Sequence, residues 1–127
     1  MSLPTVTANP LLLVLLAMAL IVPTGTATTR TVRGYVLDSA CAFTKGIGKP
    51  ISKECAVSCA NSGSPLVVQA EDGVIYLPIS DLTPAKGQNA KLIPFAGKKV
   101  AATGAVFDRG SSHAIVVRNI ELVPDGK

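Results

Sequence analysis

All twenty acidic and basic side chains of this 127-residue chain lie at or beyond Arg30. Ahead of them, Leu11 to Val22 (LLLVLLAMALIV) is an unbroken apolar run. A membrane span needs about 20 apolar residues, so this run is short for a crossing and suits the apolar centre of an export signal. Pro23 and Gly25 interrupt a helix, and Gly25-Thr26-Ala27 supplies the small residues a signal peptidase prefers. Cleavage is therefore expected after Ala27, with residues 1–27 as signal peptide and residues 28–127 as one small domain. The segment before the run has no Lys or Arg, so retention as an uncleaved anchor stays open as the alternative. The cleaved domain is expected outside the cytoplasm, periplasmic or extracellular, with no stable membrane insertion. A domain of this size buries one modest core and is only marginally stable.

Charge narrows the class of partner. The formal net charge is +4, from twelve basic and eight acidic residues, scattered rather than clustered. That distribution reads as a solvated surface, not as a nucleic-acid footprint. The aromatic residues past the signal, Tyr35, Phe43, Tyr76, Phe95 and Phe107, show no interleaving with basic residues. Nucleic-acid binding through stacked bases is not expected.

The domain reads mainly as strands. Arg30 to Asp38 is a first strand, with Gly34 marking a bulge or bend. Thr44 to Pro50 is a loop punctuated by Gly46, Gly48 and Pro50. Lys53 to Ala60 is a short helix, with Ser52 as N-cap, Ile51 stapling onto Ala56, Glu54 in the first turn and Asn61-Ser62-Gly63 as the stop. Pro65 to Ala70 and Val74 to Leu77 flank Glu71-Asp72-Gly73 as a hairpin. Thr83 to Phe95 is a connection with at most a short helical turn. Lys98 to Phe107 and His113 to Val123 form a last hairpin, with a second bend at Gly104. A single strand, a hairpin, a connection and a final hairpin fit a five-stranded OB-like barrel with a cysteine-bearing helix between strands one and two.

Cys41, Cys55 and Cys59 carry the only conspicuous chemistry. Three thiols cannot all pair within one exported chain. Cys55 and Cys59 stand i and i+4, so a helix puts both sulfurs on one side, and the helix N-terminus favours a thiolate at Cys55. Three readings follow. In the first, a disulfide from Cys41 to Cys55 or Cys59 staples loop to helix, stabilising by roughly 3 kcal/mol and leaving one free thiol for a partner protein. In the second, three thiolates hold Zn²⁺ or Cu⁺, with His113 or Asp38 as a fourth ligand. In the third, the thiols exchange with a disulfide substrate, although the Cys-x-x-Cys signature of such oxidoreductases is missing. Blue-copper and covalent-haem patterns are absent, as is any third group to orient a Cys/His pair. His113 otherwise reads as a half-exposed strand residue, Asp38 as a turn cap, and Lys45, Lys49 and Lys53 as a solvated loop that could favour a nearby thiolate.

The stretches GYVLDSACAF, KECAVSCANSGSPLVV, DGVIYLPI and FAGKKVAATGAVFDRGSSHAIVV together resemble a group of small exported bacterial proteins of uncharacterised function. The matching positions are Asp38, Ser39, Cys41, Cys55, Cys59, Gly97, Lys98 and Val100, within Thr31 to Val123. The resemblance implies an OB-like barrel and a shared cysteine trio, and carries no activity with it. The chain is thus expected to be an exported, non-enzymatic binding domain. Its metal set is Cys41, Cys55, Cys59 and His113, its ligand a metal ion or a partner protein, and its oligomeric state is left open.

Overall fold

A computed structural model of the chain describes residues 1–4, 26–45 and 52–124. The expected signal segment Leu11–Val22 and the loop residues Gly46 to Ile51 lie outside the described residues. In chain order the elements are β1 (Thr28–Asp38), α1 (Ser39–Thr44), α2 (Lys53–Asn61), β2 (Leu66–Ala70), β3 (Ile75–Pro78), α3 (Asn89–Leu92), a 3₁₀ turn (Ile93–Phe95), β4 (Lys99–Arg109) and β5 (Ser112–Leu122). The strands close in the order β1-β2-β3-β5-β4, with β4 returning to β1. All pairings are antiparallel except β3 with β5, which is parallel. This is the five-stranded OB-like barrel expected.

Closure depends on β1 serving two partners. Its first part, Thr28 to Tyr35, pairs with β4, and its last part, Gly34 to Asp38, pairs with β2. Gly34 lies in the overlap, opposite both Ala70 and Val100. A Cβ at Gly34 would stand 2.0 Å from the Gln69 carbonyl oxygen, so only glycine permits that approach. Gly104 does the same on the far side. The β4–β5 register slips between Thr103 and Gly104, and a Cβ at Gly104 would stand 1.9 Å from the Val116 carbonyl oxygen. Both bends expected from the sequence therefore carry the barrel's curvature.

Inside, alternate residues of the strands meet: Val32 and Val36 of β1, Leu66 and Val68 of β2, Val100, Ala102 and Val106 of β4, and Ile115 and Val117 of β5. Ala56 and Ala60 of α2, with Leu92 and Ala96, join the same core. The i, i+4 spacing of those alanines presents one small-residue face of α2 to the barrel. Cys55 and Cys59, each one position earlier, lie along its flank.

Two features differ from the sequence reading. Residues 39–44 form a helix, so the insertion between β1 and β2 holds two helices, each bearing cysteine. The final hairpin is also tighter than expected, because Asp108, Arg109 and Ser112 are strand residues and Gly110-Ser111 alone makes the turn. The Glu71–Gly73 turn is as expected, with Gly73 at φ 88° and the Asp72 carboxylate accepting from Val74 N at 3.0 Å.

Asn89, at the start of α3, ties three elements together. Its Oδ1 accepts from Leu66 N at 2.8 Å, and its Nδ2 donates to the carbonyls of Ser64 at 2.8 Å and Ala60 at 3.2 Å. Asn89→Ala should destabilise the domain by roughly 2–3 kcal/mol, because it strands a part-buried N–H and two carbonyls. Gly104→Ala should cost at least about 1–3 kcal/mol, since backbone atoms cannot step aside as a side chain can. Urea unfolding of both variants checks this; a Gly104→Ala midpoint equal to wild type would contradict the closure argument.

Candidate functional site

The site begins with Asp38, the last residue of β1, which is 1% exposed. Its Oδ1 accepts from Cys41 N at 2.9 Å, starting α1 as an N-cap. Its Oδ2 accepts from the Ser64 hydroxyl, just ahead of β2. Ser39 N donates to the Pro65 carbonyl at 2.9 Å, and the Ser39 and Ser64 hydroxyls lie 3.4 Å apart. Burial alone would raise the Asp38 pKa. The donors Ser64, Cys41 and Ala40 outweigh it and hold the carboxyl below its ordinary value, so the group is ionised at neutral pH.

Six residues are too few for a self-standing helix, so α1 survives on this cap and on packing. Ala42 sits against Leu37 and Val67, which face outward from the barrel yet are buried beneath the helix. Cys41, on the same turn, is buried as well. Opposite it, α2 starts as the sequence predicts, with the Ser52 hydroxyl accepting from Cys55 N at 3.1 Å. It ends at Asn61, followed by Gly63 at φ 96°.

The three thiols share one corner with Asp38. Burial, then a hydrogen bond to Asp38, pushes the Cys41 thiol above its ordinary pKa; the charges of Asp38 and Cys55 add to this, and Lys45 opposes it. Burial, then the Asp38 charge, raises Cys59, with further contributions from Cys55 through its charge and a hydrogen bond; Lys45 again opposes. Cys55 thus acts on both other thiols. All three cysteines are free in the structure. Among the described residues, no three His, Cys, Asp or Glu side chains stand in ready ligating geometry.

Of the two fourth-ligand candidates, Asp38 is the one placed at the thiol corner. His113 lies at the start of β5, its Nδ1 2.7 Å from Asp108 Oδ1 and its ring 5.6 Å from that of Tyr76. The groups acting on Cys41 and Cys59 are Asp38, Cys55 and Lys45, without His113. Lys45 follows α1 and is the basic residue that bears on the thiols, Lys53 opens α2, and Lys49 lies outside the described residues. Sequence reasoning missed Ser64 as the second donor to Asp38. Its only local mark is its place after the helix stop.

No family model, no curated protein and no solved structure matches the chain.

A carboxyl with a depressed pKa stabilises the fold above its ordinary titration range, and that contribution is lost as pH falls through its folded value. Asp38→Asn should therefore cost about 1.5–3 kcal/mol at pH 7, with the gap to wild type shrinking below about pH 4. A gap that stays constant from pH 7 to pH 3 in urea unfolding would show that the charge plays no part.

Proposed function

We propose that this chain is an exported, non-catalytic binding domain whose OB-like barrel presents Cys41, Cys55 and Cys59 to a soft metal ion, Cu⁺ or Zn²⁺. The supporting observation is that three free thiols gather around one buried carboxylate. Burial first, then the ionised Asp38 and Cys55, hold protons on Cys41 and Cys59, and Lys45 opposes them. A bound cation must displace those protons and then meets the Asp38 charge as compensation, so retention should strengthen as pH rises. Thiolate selects Cu⁺ and Zn²⁺ over harder ions. Cys55 and Cys59, one turn apart on a capped helix, would anchor the ion, and Cys41 would complete three sulfurs from across the corner. Binding requires the thiols to rotate toward one point. Asp38 remains close as counter-charge, and His113 stays with Asp108.

A second reading rests on the same geometry. Cys55 acts on both other thiols, and oxidation in the exported compartment would pair Cys41 with Cys55 or Cys59 and leave the third thiol free for a partner protein. Thiol–disulfide catalysis fits less well, since it needs an accessible thiolate and burial drives Cys41 and Cys59 the other way.

Native mass spectrometry of the reduced protein with Cu⁺ or Zn²⁺ is expected to show one retained ion per chain. Three thiols should resist alkylation until a chelator removes it, and Cys59→Ser should abolish retention. No retained ion in wild type overturns the metal reading. A mass two hydrogens low, with a single alkylatable thiol, would install the stapled module in its place.

A further inference from the structure

On the barrel's outer face, a groove of about 890 Å³ runs across β3 and the start of β5. Its apolar surface comes from Val67, Ile75, Leu77, Phe107 and Ala114, with Phe43 of α1 along one side. The pattern has a simple origin. Leu77 pairs with Ala114, and Ala114 with Phe107, so three adjacent strands direct apolar residues to the same exterior face. α1 covers the part of this exterior near Leu37 and leaves the rest open. Phe43 is 73% and Leu77 45% exposed. These residues contribute little to the core, and a contiguous exposed apolar patch marks a binding surface.

The charge lining the groove has one sign. Among the described residues, Arg109 and His113, on either side of the β4–β5 turn, are its only ionisable side chains, and no carboxylate lines it. Asp108, next to Arg109, is already engaged by Arg30 at 3.0 Å and by His113 at 2.7 Å. Arg109 has no ion-pair partner among the described residues. Ser111 and Ser112 supply neutral hydroxyls at the same end. A trough of hydrocarbon that ends in an unpartnered guanidinium and hydroxyls is complementary to a hydrocarbon chain ending in an anion.

We propose that this groove binds a free long-chain carboxylate, with the alkyl chain along Leu77, Ile75 and Phe43 and the carboxylate at Arg109. The volume lies within the range of pockets that hold one small molecule. The surface is concave between α1 and the β4–β5 turn, which suits a single chain rather than a bilayer. The groove adjoins α1, whose Ser39 and Phe43 line it, but no thiol does.

The test uses the purified protein and a fluorescent fatty acid, dansyl-undecanoic acid, displaced by palmitate, by the uncharged hexadecanol, or by phosphatidylglycerol vesicles. Saturable binding displaced by palmitate is expected, with competitor affinity rising a few-fold for each added methylene. Leu77→Glu should weaken binding by at least about tenfold. Arg109→Gln should weaken palmitate about tenfold while leaving hexadecanol unchanged. Both positions are exposed, so the variants should keep the wild-type melting temperature, and metal retention should be unaltered in each. The apolar N-terminal run is identical in all variants, so probe uptake by that run would be insensitive to them. Binding that ignores Leu77→Glu, equal palmitate affinity in Arg109→Gln, or vesicle binding with no displacement by palmitate would each overturn the proposal.

Discussion

One buried carboxylate joins the two ends of the insertion that sets this barrel apart. Asp38 closes β1, starts α1 with one oxygen and holds Ser64, ahead of β2, with the other. An isolated buried charge costs several kcal/mol, and only matched donors make it tolerable. Here the donors are backbone and hydroxyl groups of the insertion itself, so satisfying Asp38 brings Cys41 and Ser64 together at the end of β1. The same charge then acts on Cys41 and Cys59. Architecture and chemistry at this corner are consequences of a single group.

Barrel closure decides which surfaces remain for binding. Because β1 pairs with both β2 and β4, and β3 with β5, the sheet closes on itself. What is left is the corner where α2 seals the core and the outer face that α1 only partly covers. These surfaces differ in chemistry: one gathers thiols around a carboxylate, and the other lays hydrocarbon beside a guanidinium. A small barrel with a full interior must place recognition on such exterior additions, since its core has no room for a ligand.

Much of this was legible locally. Ser52 and Glu54 announce α2, Asp72-Gly73 announces the β2–β3 hairpin, and Gly34 and Gly104 announce the bends, because each signal acts through its own backbone. Less visible was α1. It has no apolar periodicity, and its one signal, Asp38 before Ser39, is equally a turn signal. It becomes a helix because Leu37 and Val67 offer Ala42 a surface to cover. Asn89 gave no warning either, since its three partners come from residues 60 to 66, far away in sequence.

The sequence by itself determined the five strands, α2, the glycine bends, the placement of Cys55 and Cys59 on one helical side, and the division between an uncharged N-terminal stretch and a charged remainder. These are consequences of local propensity and periodicity. Only the tertiary structure decided that β3 runs parallel to β5, that Asp38 rather than His113 stands with the thiols, and that three strands share an apolar exterior. Each of those depends on which distant segments the closed barrel makes neighbours, and loop-closure entropy hides that choice from any local reading.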